Sequence, residues 1–158
     1  MKSFTTASPK NFAYLESLGA SKVKCFDYRS PTVAEDVAAG LKSSNGPLAG
    51  VIDCTSVTNA VQTCASILSL SNNADKIIAT VLPPPETITN ARRIFGLSLK
   101  ENEVGKAIYE DFLPEALSKG TFIPAPEPMV VGTGLEAMQA AFDAQKAGVS
   151  AKKVIVKL

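Results

Sequence analysis

Ser8, Lys10 and Asn11 bring a hydroxyl, a cation and an amide into one short stretch, with Pro9 between them. They follow Phe4 to Ala7, which reads as the tail of a β-strand. In a nucleotide-binding α/β fold, the turn after such a strand faces the ribose at the adenine end of a dinucleotide. An acidic residue there holds a free 2′-OH and favours NAD. This stretch has none, and its three side chains suit a 2′-phosphate, so NADPH is the expected cofactor. The same residues also admit a plainer role. Ser8 can be a helix N-cap, with Pro9 at the first helical position, and Lys10 a solvated first-turn lysine. The two roles are compatible, because a helix N-terminus favours anions.

Composition narrows the chemistry available elsewhere. The chain has 158 residues, 46% of them hydrophobic, with a formal net charge of +1. That length fits one domain with a well-buried core. Interspersed charges of near-zero sum imply neither nucleic-acid binding nor a polybasic membrane surface. No apolar run reaches the span of a membrane helix, and the N-terminus lacks the signature of a secretory signal peptide. The chain has no histidine, which excludes Ser-His-Asp and Cys-His catalysis and His-based zinc sites. Cys25, Cys54 and Cys64 are odd in number and far apart. They read as buried free thiols of a cytoplasmic protein, with no metal site.

Positioning these residues requires an alternation of strands and helices, which argues for a doubly wound parallel sheet. Phe12, Leu15 and Leu18 give the first helix an apolar face, and Gly19 ends it. Lys22 to Tyr28 is a second strand. Ser30-Pro31 opens a helix to about Leu41, and Ser44-Asn45-Gly46-Pro47 is a turn. Gly50 to Cys54 is a buried strand. The next helix runs from about Val57 to Leu70, with Val57, Val61, Cys64, Ile67 and Leu68 inward. Lys76 to Leu82 is a strand that stops at Pro83-Pro84-Pro85. Beyond it, Ile88 to Leu99 is strand-like, Asn102 to Lys119 is helical with an interruption at Pro114, and Thr121 to Pro128 is extended. Gly134 to Ala147 is an amphipathic helix with Leu135, Met138, Ala141 and Phe142 on one side. Lys153 to Leu158 is a terminal strand.

Taken together, several segments resemble one family. They are Ser-Pro-Lys-Asn-Phe, Ser-Leu-Gly-Ala, Phe-Asp-Tyr-Arg-Ser-Pro, Val-Ile-Asp-Cys, a strand ending in prolines, and Gly148 to Val156. In this order they look like the second half of a medium-chain dehydrogenase/reductase. The narrower likeness is to the zinc-independent, NADPH-using fungal members, which include trans-acting enoyl reductases and quinone-oxidoreductase-like proteins. The resemblance implies a Rossmann-like domain over residues 1–158, with the family's C-terminal helix and strand. It also implies that the first βα unit with its Gly-rich loop, and the N-terminal GroES-like substrate domain, are absent. The centre of the sheet is then expected to be unpaired, an exposed edge that favours a homodimer.

The resemblance implies further site residues. Tyr28 would pack near the adenine ribose and phosphate, with Arg29 a weaker candidate. Asp53, Cys54 and Thr55 would lie against the adenosine and nicotinamide-ribose side. Backbone groups of Val81, Leu82 and Pro83 would hold the nicotinamide carboxamide. Phe95 and Gly96 would face the substrate cleft, and Lys153, beside Lys152, would stand near the cofactor. Each has a structural alternative: Tyr28 as a strand-edge aromatic, Asp53 (or Thr55 or Ser56) as a helix cap, Phe95 as core, the lysines as surface. No acid–base catalyst stands out, and Ala151 stands where relatives often carry glycine. The implied parent reaction is hydride transfer from NADPH to an enoyl, enone or quinone-type acceptor. The alternative is a non-catalytic remnant that binds a nucleotide or a partner.

Overall fold

The computed structural model describes residues 2–19, 23–44, 46–55 and 59–158; of Glu101 it describes the backbone alone. Ala20, Lys22, Asn45, Ser56 and Val57, all assigned places above, lie outside the described residues. Strand β1 (Ser3–Ala7) leads through a 3-10 turn at Pro9–Asn11 into helix α1 (Phe12–Gly19). Strand β2 (Val23–Asp27), helix α2 (Val33–Lys42), strand β3 (Val51–Asp53), helix α3 (Ala60–Leu70), strand β4 (Ile78–Thr80) and strand β5 (Ala91–Arg93) follow. Every strand pair is parallel, as alternating β and α segments require.

The strands form separate small sheets rather than one. β1 pairs with β2, and β3, β4 and β5 lie side by side in that order. Helices cover both faces of the first sheet. Phe26 packs with Phe4 against Val33 and Val37 of α2, whereas Cys25, its neighbour, feels the charge of Glu16 on α1. Successive strand residues point to opposite faces, so α1 and α2 lie on opposite sides. Helix α3 sits beside α2 and joins the two sheets. Its Ile67 packs with Val33 and Val37, and its Leu68 with Val61, Ile78 and Ala91.

Several elements depart from the sequence reading. The strand over Gly50 to Cys54 shortens to β3 and is buried on one face only: Val51 packs under α3, while Ile52 is 67% exposed. The helix expected at Ser30-Pro31 begins two residues later. Ser30 instead builds a turn, its Oγ accepting the Thr32 N–H at 3.3 Å and its carbonyl accepting the Val33 N–H at 3.2 Å. Ile88 to Leu99 holds only β5 as strand; Gly96–Glu101 is a 3-10 helix. Leu18 of α1 is exposed.

The helical run over 104–118 is continuous but changes gauge. α4 (Val104–Lys106) passes into a π segment at Ala107–Phe112 and then α5 (Leu113–Ser118). Pro114 supplies no N–H, and its ring would crowd the carbonyl four residues before it. The chain widens there, and the Leu113 N–H donates to the Ile108 carbonyl, five residues back. Finally β6 (Glu127–Thr133), α6 (Met138–Ala147) and β7 (Lys152–Lys157) form a parallel βαβ unit. Of the expected apolar face only Ala141 turns inward. Ala137, Ala141 and Ala144 are half-buried, whereas Leu135, Met138 and Phe142 are exposed. A Cβ on Gly132 would stand 2.6 Å from the Ala137 Cβ, so glycine permits this close approach. No helix among the described residues is long and apolar enough to cross a membrane.

Candidate functional site

Parallel strands bring their C-terminal ends to one edge of each sheet, where open α/β folds bind ligands. Ser8 follows β1 directly. Its backbone is extended, Pro9 opens the 3-10 turn, and its side chain makes no capping bond; the simple N-cap role is therefore not realised. The Ser8 carbonyl accepts the Asn11 N–H at 2.9 Å and closes the turn. Lys10 is exposed on it. Asn11 Oδ1 accepts the Ser150 hydroxyl at 3.1 Å. Ser150 carried no signal in the sequence, because its partner is far away along the chain. That bond brings the approach to β7, with Lys153 three residues on, toward the Ser8–Asn11 turn. Lys153 is exposed, and its neighbour Lys152 pairs with Glu127 across β6 and β7. The Lys152 hydrogen bond and charge hold the Glu127 carboxyl below the usual carboxylate range.

Tyr28 lies beside the same turn, its N–H donating to the Ala7 carbonyl at 3.4 Å. Its ring is exposed, with the Arg29 guanidinium 5.6 Å from the ring centroid. Arg29 is also tied to Asp27, 3.4 Å from Nε to Oδ1. A shallow cavity of about 640 Å³ starts here, bounded by Tyr28, Ser30 and Glu35 on one side and Asn59, Gln62 and Thr63 on the other. Asn59 opens α3, which follows β3, so the C-terminal ends of β2 and β3 face the same region.

In the second sheet Asp53 is buried at the end of β3. Its Oδ1 accepts both the N–H and the hydroxyl of Thr55, at 3.0 and 2.9 Å. It therefore pins an Asx-type turn rather than capping α3, whose N-cap is Asn59. Its charge also reaches Cys64, whose pKa burial, then Asp53, push up to about 11. Burial, then Glu16, likewise raise Cys25. Cys54 is exposed, against the expectation of a buried thiol.

Val81 and Leu82 are exposed just past β4. The residue that shapes their turn is Thr80, fully buried, whose hydroxyl donates to the Leu82 carbonyl at 2.7 Å. The sequence reading passed over Thr80 as a strand residue; a hydroxyl in the last position of a buried strand was the available signal. The Ile94 N–H donates to the Thr80 carbonyl at 2.7 Å, which sets Phe95 beside the Val81–Leu82 turn. Phe95 is 53% exposed under the Arg93 guanidinium, so it is not core. The candidate residues thus form two groups. Ser8, Lys10, Asn11 and Tyr28, with Lys153 nearby, lie around the first sheet, and Asp53, Val81, Leu82 and Phe95 lie on the second.

Comparison with known proteins gives this arrangement a context. No family model matches the chain. It is 49% identical to the zinc-binding alcohol dehydrogenase domain-containing protein cipB of Emericella nidulans, over 98% of this chain and 48% of that protein. It is 32% identical to the trans-enoyl reductase himH of Aspergillus japonicus, over 97% of this chain and 44% of that one. Among solved structures it matches the apo JamJ enoyl reductase with a TM-score of 0.65 at 14% identity, covering 98% of this chain and 46% of that one. That likeness bears on the fold, and it agrees with a Rossmann-like α/β class. The chain spans about half the length of the curated relatives it matches. It is a homologue of one part of fungal oxidoreductases of the zinc-binding-type alcohol dehydrogenase and trans-enoyl reductase group.

Proposed function

We propose that this chain is the nucleotide-binding part of an NADPH-dependent, zinc-independent medium-chain oxidoreductase of the cytoplasm. The observation that carries the reading is the turn at the end of β1. It presents a hydroxyl, an ammonium and an amide with no carboxylate among them. That donor set fits a 2′-phosphate, and Tyr28 stands beside it to cover the adenosine. Asp53 holds the β3 turn rigid on the ribose side. Thr80 fixes the Val81–Leu82 turn, whose backbone groups would orient a nicotinamide carboxamide, and Phe95 lies next to it on the substrate side. Related dehydrogenases and enoyl reductases typically use a nicotinamide cofactor. When bound, NADPH supplies the hydride, and the acceptor is an enoyl, enone or quinone-type small molecule of the full-length protein. The chain's own residues bind and orient.

The test is to titrate the chain and its Lys10→Glu variant with NADPH and with NADH, following nicotinamide fluorescence. A charge-assisted bond to phosphate is worth about 1.5–3 kcal/mol, so NADPH binding should weaken roughly tenfold or more while NADH binding is spared or improved. Equal loss for both cofactors would remove the 2′-phosphate role. A second reading, a non-catalytic module that pairs with a partner or a second copy through its sheet edge, draws on the separation of the two sheets. NADPH binding without turnover in the full-length protein would favour it.

A further inference from the structure

Ser8, Lys10 and Asn11 all keep donors unspent. The Ser8 hydroxyl makes no capping bond, and Lys10 joins none of the ion pairs among the described residues. Asn11 differs from the other two, because its amide can turn either way. A carboxamide ends in a carbonyl oxygen and an NH2 group, and its last torsion is broad and roughly two-fold. Turned one way it offers donors to an anion. Turned the other way it sets an oxygen against it.

Ser150 decides between the two. It reaches Asn11 from 139 residues away along the chain. Helix α6 ends at Ala147, the Gly148 N–H donates back to the Gln145 carbonyl at 3.1 Å, and Ala151 stands at φ +51° between Ser150 and β7. A left-handed backbone is costly for a residue with a Cβ and persists where its surroundings fix it. Here it bends the chain just before β7. The Ser150 hydroxyl donates to Asn11 Oδ1 at 3.1 Å. With its oxygen engaged, the amide directs its NH2 group away from Ser150. Among the described residues no protein group accepts from that NH2.

We propose that Ser150 is a positioning residue for a phosphate monoester at the Ser8–Asn11 turn: it holds the Asn11 carboxamide with its NH2 group toward the phosphate. The inference rests on the 2′-phosphate reading above and adds to it a residue that does not touch the phosphate. A serine hydroxyl can donate or accept, and an anion on the NH2 side selects the state in which it donates. Hydroxyl and phosphate then polarise the amide in the same sense, so each bond strengthens the other. Preference for a phosphorylated over a free ribose is thereby shared between segments at opposite ends of the chain. The β6-α6-β7 unit contributes to cofactor choice through its approach to β7.

The experiment titrates the 158-residue chain with adenosine 2′,5′-bisphosphate and with adenosine 5′-monophosphate, following backbone and side-chain NH2 signals by NMR. The two probes differ only in the 2′-phosphate and need neither a nicotinamide nor turnover. The bisphosphate should bind more tightly and shift the Asn11 NH2 pair. Ser150→Ala should weaken the bisphosphate about three- to tenfold and leave the monophosphate unchanged. Ser150→Thr, which keeps the hydroxyl, should retain the affinity. On an Asn11→Ala background Ser150→Ala should add nothing, because it acts through the amide. No loss in Ser150→Ala, equal loss for both probes, or full additivity with Asn11→Ala would overturn the proposal. Lys10→Glu separates it from the reading on which it rests. If Lys10→Glu abolishes the preference for the bisphosphate while Ser150→Ala leaves it intact, the 2′-phosphate reading stands and the positioning role falls. If the unaltered chain shows no such preference, both fall.

Discussion

Residues 33–91 and residues 94–158 both carry helices and parallel strands but differ in what they bury. Every buried hydrophobic among the described residues except Ala116 lies between Val33 and Ala91. The second stretch instead exposes Phe95, Leu97, Ile108, Tyr109, Phe112, Leu135 and Phe142. A soluble monomer rarely shows so much large apolar surface in one region. The contrast teaches where the chain is self-sufficient. The first stretch closes a small core between α2, α3 and the strands. The second has formed its elements but has buried few of their apolar faces against the rest of the chain.

The sharpest way to break this comparison is to truncate one residue on each side. Leu68 is fully buried and packs between Val61, Ile78 and Ala91. Leu68→Ala should cost about 2–5 kcal/mol in urea unfolding, from lost transfer energy and the cavity left behind. Phe142 is 62% exposed on α6. Phe142→Ala should stay within about 0.5 kcal/mol. Equal costs would mean that the second stretch packs as tightly as the first.

The thiols sharpen the same contrast on a local scale. Burial and Asp53 hold Cys64 at a pKa of about 11, so at pH 8 almost none of it is thiolate, the reactive form. A disulfide-exchange reagent at that pH should label exposed Cys54 at least about tenfold faster than Cys64. The gap should narrow as pH rises toward 11. Because the folded state holds this proton above the pH at which the unfolded thiol releases it, stability should fall as pH rises from about 9 to 11. Cys64→Ala should flatten that part of the curve. Rapid labelling of Cys64 at pH 8 would show that α3 opens easily.

How much of this was legible in the sequence follows from the range of the interactions. The β-α alternation, the turn at Ser8-Pro9 and the stop after β4 are local signals, and the structure carries them. Features that depend on tertiary coverage were not legible. Ile52 alternates with Val51 and Asp53, but the pattern alone could not say that only one face meets a helix. Leu135 and Phe142 have helical spacing, yet close contact at Gly132 set the alanine side of α6 against the strands. The site divides the same way. Ser8, Lys10 and Asn11 could be found from residue type and place. Ser150 could not, because it acts through a bond to Asn11, 139 residues away along the chain; Thr80 offered only the weaker signal of a hydroxyl that ends a buried strand.

A modest effect, and one of opposite sign to that at Leu68, is expected at Ala151. It precedes β7 with φ +51°, in the left-handed region, which costs an L-residue about 1–2 kcal/mol. Gly148, three residues earlier, meets the same demand at φ +92° without a Cβ. Ala151→Gly removes the steric cost but gives the unfolded chain more freedom, a loss of about 0.5–1 kcal/mol. The difference leaves a net stabilisation of about 0.5–1 kcal/mol, read as a higher urea midpoint at unchanged slope. The gain should be confined to the β6-α6-β7 unit, so hydrogen exchange should slow in β7 and stay constant in β4. A lower midpoint would mean that the Ala151 side chain contributes packing there that outweighs its backbone strain.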